Sequence, residues 1–120
     1  MHERTEFGYF AQYLAVQWLK GREYEILDEN FRRPWGEIDI ICQKDRVVCF
    51  VEVKANKKES PGFEPELRVN PEKVQKIIRT ARTYLLSKKY PEDQEWRIDI
   101  LSITMDKIRE VAKIRYYKNV

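Results

Sequence analysis

"GEIDIICQKDRVVCFVEVK", residues 36–54, alternates charged and apolar residues on the way in and closes on Glu52-Val53-Lys54. Gly36–Gln43 and Arg46–Lys54 read as two strands of a hairpin. Side chains alternate faces along a strand, and residues that face each other across a ladder share a face. If the numbers of facing residues sum to an odd value, Glu37, Asp39 and Ile41 lie with Val48, Phe50, Glu52 and Lys54. The opposite face then holds Ile38, Ile40, Cys42, Cys49, Val51 and Val53, and it is wholly apolar. A turn at Asp45-Arg46 gives a sum of 91 and sets Asp39 against Glu52, whereas a turn at Lys44-Asp45 gives 89 and sets Glu37 against Glu52. An even sum would set charges against hydrophobes throughout, and a one-residue slip is costly when one face is buried. The odd register is expected, and it converges four charges on one side of the sheet.

Working outward, residues 5–20 read as a helix, with Phe7, Phe10, Ala11, Leu14, Ala15 and Trp18 as its apolar stripe and Gly21 ending it. Tyr24–Arg32 reads as a strand, and Pro34-Trp35-Gly36 as a turn. The run "VVCFVEV" is almost continuously apolar, which predicts a strand covered on both faces. Ala55–Val69 reads as a long loop of the kind that serves as a lid or a binding segment. Asn70-Pro71 opens a second helix, to about Lys88, with a stripe of Val74, Ile77, Ile78, Ala81 and Leu85. That stripe sets Lys76, Arg79 and Arg82 on the opposite side and Lys73 near its edge. Trp96–Thr104 and Arg109–Lys118 read as two more strands, the last suited to a sheet edge. The order α-β-β-β-α-β-β predicts one α/β domain over residues 1–120, a mixed sheet flanked by helices.

The chain has 120 residues, 36% of them charged, and a net charge of +3. Charge is unevenly distributed. Lys54–Lys89 holds ten Lys or Arg against four Glu, so the remainder is slightly acidic. A local basic field of this kind suits an anionic partner, with a plainly solvated helix face as the alternative. Cys42 and Cys49 read as two small buried hydrophobes on neighbouring arms. With no signal or apolar span in the sequence, a reducing cytoplasmic setting and no membrane association are expected. His2 is the only histidine, which excludes most zinc sites and any Ser-His or Cys-His nucleophile pair.

Two carboxylates and a lysine converging at strand ends have a chemical use. Asp39, Glu52 and the backbone carbonyl of Val53 can supply oxygen ligands to one hard divalent cation such as Mg²⁺ or Mn²⁺. Such an ion polarises a phosphate and acidifies a bound water, while Lys54 can orient that water or offset developing charge. Glu37 would either support the ligands of that cation or hold a second one. Lys57, Lys58, Lys73, Lys76, Arg79 and Arg82 are the candidates for phosphate contacts. A solvated hairpin face carrying cross-strand ion pairs is the plain alternative.

"GEIDII" followed by "FVEVK" resembles the YraN family of uncharacterised, nuclease-like bacterial proteins. So do "AVQWL…YEILDENFR", "RVNPEKVQKIIRTARTYL" and "WRIDIL". That family is placed with the PD-(D/E)xK nucleases, and its hairpin is similar to that of archaeal Holliday junction resolvases. The resemblance implies a restriction-endonuclease-like αβββαβ core and a catalytic motif of Asp39, Glu52 and Lys54. It implies a Mg²⁺-dependent endonuclease acting on branched or distorted DNA and, by analogy with the resolvases, a homodimer. Ile38 stands where the motif's name has proline. Gln12 stands where the family's first helix usually carries a metal-binding glutamate, and an amide is the poorer ligand. That departure keeps a non-catalytic DNA- or protein-binding adaptor in view.

Overall fold

The computed structural model describes residues 5–56, 71–106 and 108–120. Two helices, α1 (Glu6–Gly21) and α2 (Pro71–Ser87), cover opposite faces of a five-stranded sheet. The strands are β1 (Glu25–Arg33), β2 (Gly36–Lys44), β3 (Val47–Asn56), β4 (Trp96–Asp106) and β5 (Val111–Tyr117). They lie in sequence order; β3–β4 is parallel and the other pairs are antiparallel. This is the expected mixed α/β sheet with flanking helices, compatible with a restriction-endonuclease-like core, and β5 lies at the edge as its composition predicts. No helix among the described residues is long and apolar enough to cross a membrane.

The hairpin takes the register with a sum of 91: Ile40 faces Val51, Ile41 faces Phe50 and Cys42 faces Cys49. The turn is Asp45-Arg46, whose φ values of 51° and 67° are both left-handed. Such turns match the right-handed twist of the flanking strands. Period-two alternation then explains the apolar run in β3. Val48 and Phe50 enter the core under α2 with Ile41, Ile77, Ala81, Tyr84 and Ile98. Cys49 and Val51 enter the core under α1 with Ala11, Ala15, Leu19, Ile40 and Leu101. Both cysteines are buried free thiols, as their reading as small hydrophobes predicts. Their mutual hydrogen bond, reinforced by burial, pushes the Cys42 thiol up.

Ile38 departs from the expected face: it packs under α2 with Phe31 and Ile77. The cause is a kink. Asn30 in β1 takes a left-handed φ of 54°, between the pairs Glu29–Ile40 and Phe31–Ile38. Beyond it, Phe31 and Ile38 both turn to the α2 side. Asparagine tolerates this region better than most residues.

The helix stripes are also rotated from expectation. On α1 the buried residues are Ala11, Gln12, Ala15, Val16 and Leu19, and Phe10 is left 47% exposed. On α2 they are Ile77, Thr80, Ala81 and Tyr84, while Val74 is only half-buried. Small residues at the contact let each helix approach the sheet closely. β3 extends to Asn56, so Ala55 and Asn56 belong to the strand; the rest of the expected loop, with Lys57, Lys58 and the Asn70 cap, lies outside the described residues.

Candidate active site

The β2–β3 ladder runs no further toward Gly36 than Ile40–Val51, and there the two strands part. Asp39 fills the fork: its Oδ2 accepts a hydrogen bond from the backbone N–H of Val53 at 2.8 Å. A carboxylate thus takes the place of a ladder carbonyl. The fork opens into a cleft of about 390 Å³, whose walls include Glu37, Asp39, Glu52, Lys54, Lys73 and Lys76. The four hairpin charges line one cleft, but Glu37 and Asp39 lie beyond the last ladder pair, so their place follows from the fork and the kink rather than from the register.

Each charge is held differently. Glu37 pairs with Arg32 at 3.2 Å. Glu52 Oε1 pairs with Lys73 Nζ, while its Oε2 is buried with no hydrogen-bond partner. A buried carboxylate oxygen without a donor is costly, and in native structures such atoms mark strain, catalysis or an ion. Among the described residues, no three His, Cys, Asp or Glu side chains group as a metal cage. A two-carboxylate site that keeps several waters is the arrangement Mg²⁺ prefers.

The basic candidates separate. Lys73 and Lys76, on the first turns of α2, line the cleft. For Lys76 this corrects the expected placement on the far side of the helix; the rotation that buries Thr80 brings it round. Arg79 stacks over Trp35, 3.9 Å from the ring centroid, and Arg82 is exposed away from the cleft walls. Gln12 is not a cleft residue. It lies on α1, in the opposite layer, and only 4% of it is exposed. Its Nε2 donates to Glu29 Oε1 at 3.0 Å and to the backbone carbonyl of Asp39 at 3.4 Å.

Three residues escaped the sequence reading. Glu29 holds Gln12, and nothing in "ILDENF" distinguishes it from a solvated strand charge. Asp99 is fully buried, accepting from Arg97 Nε, the Tyr116 hydroxyl and the backbone N–H of Asn119. Burial and the Asp99 charge push the Tyr116 hydroxyl up, which keeps it a donor. Its signal was legible: Arg97 and Asp99 are two apart in "WRIDIL", on one face of an otherwise apolar strand. The third is Gly36, against which α2 rests. A Cβ there would lie 2.6 Å from Thr80 Oγ1 and 3.3 Å from the Lys76 carbonyl oxygen. Gly36→Ala is expected to cost about 1–3 kcal/mol of stability by overpacking. Urea unfolding beside Gly21→Ala, where a Cβ meets nothing within 4 Å, checks it. Equal midpoints would show that α2 yields freely.

Comparison with known proteins gives one consistent result. The model of the uncharacterised protein family UPF0102 matches residues 11–103. A UPF0102 protein of Campylobacter fetus is 38% identical over 92% of this chain and 94% of its own length. One from Acetivibrio thermocellus is 40% identical over 93% of this chain and 88% of its own. One from Fervidobacterium nodosum is 39% identical over 92% and 77%.

Proposed function

The chain belongs to the uncharacterised protein family UPF0102, the YraN family, and from the chemistry of its cleft we propose metal-dependent hydrolysis of phosphodiester bonds in DNA. Branched or distorted DNA is the proposed substrate. The observation that carries this reading is Glu52: its Oε2 is buried without a donor in a cleft shared with Asp39 and Lys54. Asp39, Glu52 and the Val53 carbonyl are the oxygen donors suited to Mg²⁺ or Mn²⁺. Gln12, facing the opposite layer, is left out of this set. When bound, the cation supplies positive charge at the phosphate and a more acidic water.

The protein's own groups do the rest. Asp39 is oriented by the Val53 N–H. Lys54, two residues beyond Glu52, orients the attacking water and offsets charge that develops on the phosphate. Water adds to phosphorus and gives up a proton to solvent, the bond to one sugar oxygen breaks, and that oxygen takes a proton from solvent, leaving a phosphomonoester and a hydroxyl. An entering phosphate competes with Glu52 for the Lys73 ammonium. Lys73 and Lys76 contact phosphates at the cleft; Lys57 and Lys58, which follow Lys54 in the sequence, are the further candidates. Such contacts position the backbone without reading sequence. The free, facing thiols of Cys42 and Cys49 suit a reducing cytoplasm.

One observation favours a second reading, a non-catalytic DNA- or protein-binding adaptor: the Glu52–Lys73 ion pair closes one carboxylate oxygen. The test is incubation with linear, flapped and four-way DNA in Mg²⁺ or Mn²⁺, beside Glu52→Ala and Lys54→Ala. Cleavage by the parent chain that both variants lose is expected. DNA binding with no cleavage in either metal would replace the enzyme with the adaptor.

A further inference from the structure

A second cavity, of about 270 Å³, opens on α1 and is lined by Tyr9, Gln12, Tyr13, Lys20 and Glu29, among others. Tyr9 and Tyr13 are 61% and 59% exposed, far more than the core of this small domain leaves its other tyrosines such as Tyr24 and Tyr84. They stand four residues apart, so their side chains are neighbours on one face of the helix. Among the described residues neither ring stacks on another ring or meets a cation. The cavity reaches down to Gln12, whose Oε1 lacks a hydrogen-bond partner. The orientation of that amide is fixed chemically. Its Nε2 faces two acceptors, Glu29 and the Asp39 carbonyl, so the oxygen must point elsewhere.

Asp39 joins the two places. Its carboxylate lines the cleft on the α2 side, and its carbonyl meets Gln12 on the α1 side. A strand whose phosphate sat at Asp39 would have the Tyr9–Tyr13 face on the other side of that one residue. To reach both, a strand must bend sharply, which a duplex resists over a few base pairs, and the base faces of a duplex are already stacked. Unpaired nucleotides can turn, and their exposed faces stack on aromatic rings with little regard for sequence. Lys20 at the cavity supplies a cation for the accompanying phosphate.

We infer that Tyr9 and Tyr13 form a stacking site for unpaired nucleotides. Resting on the DNA reading above, this makes the substrate DNA with a single-stranded segment beside the scissile phosphate. The experiment is fluorescence anisotropy with the full chain, with Ca²⁺ in place of Mg²⁺ to hold DNA uncleaved. The probes are oligo-dT, a flapped duplex and a blunt duplex. The chains are the parent, Tyr9→Ala/Tyr13→Ala and Tyr9→Phe/Tyr13→Phe, with circular dichroism to confirm that each is folded. The alanine pair should weaken oligo-dT and flap binding by about 5- to 150-fold for each base that loses its ring. Blunt-duplex binding should stay within about twofold, and the phenylalanine pair, which keeps both rings, should bind like the parent. Unchanged flap binding, or an equal loss on flap and blunt duplex, overturns the stacking site. Cleavage assayed in parallel separates the two proposals. Tyrosine-dependent binding without cleavage removes the hydrolysis and leaves the stacking site. Cleavage with binding indifferent to the tyrosines does the reverse, and no binding to any DNA removes both.

Discussion

Asp99→Ala is expected to lower stability by about 3–5 kcal/mol, the range for breaking a buried ion pair from one side. The carboxylate is fully buried and satisfies three groups at once: Arg97, Tyr116 and the Asn119 N–H. Arg97 also donates to the Tyr24 hydroxyl at 3.2 Å, so the network ties β1's leading edge to β4 and β5. Removing Asp99 strands a guanidinium and two donors in the core under α1. Domains of this size have only about 5–15 kcal/mol in total, so the variant should sit near its folding threshold. Tyr116→Phe removes one donor of three and should cost about 0.5–1.5 kcal/mol. Urea unfolding followed by tryptophan fluorescence measures both. A smaller loss for Asp99→Ala than for Tyr116→Phe would show that the network is not held by the carboxylate.

Asp39→Ala is expected to reduce cleavage by at least about a hundredfold, the scale on which a single preorganised electrostatic group acts. It should also cost about 1–3 kcal/mol, because the Val53 N–H in the fork loses its acceptor. Asp39→Asn separates the two effects. Its amide oxygen can still accept from Val53, so most of the stability should return, but a neutral amide is a poor partner for a divalent cation and cleavage should remain low. Cleavage rates and urea midpoints on the same three chains give the answer. Full activity in Asp39→Asn would remove Asp39 from the cation site while leaving its place in the fork intact.

The hairpin was legible because strict alternation leaves one register with an apolar face. That register put Asp39, Glu52 and Lys54 on one side without knowledge of the helices. The turn was not legible, since Lys44-Asp45 and Asp45-Arg46 both give odd sums; the left-handed pair at Asp45 and Arg46 selects between them. Helix rotation was not legible either. The stripes take in Ala11, Ala15 and Ala81, which are buried, but also Phe10 and Val74, whereas the sheet receives Gln12, Val16 and Thr80 instead. That difference is what carries Lys76 into the cleft and Gln12 into the core. Ile38 failed because a kink in a neighbouring strand, at Asn30, is invisible to a reading of the hairpin alone.

The strand order has a kinetic consequence. β1, β2 and β3 are joined by tight turns, so their pairing closes short loops and is entropically cheap. The parallel β3–β4 pair must wait for the whole crossover from Asn56 to Trp96, and contacts of such separation slow folding. The two carboxylates of the cleft therefore belong to the local meander that can form first, and the lysines of α2 to the part that arrives with the crossover. Glu52 lies in that meander and its partner Lys73 on α2, so their ion pair joins the local part of the sheet to the crossover.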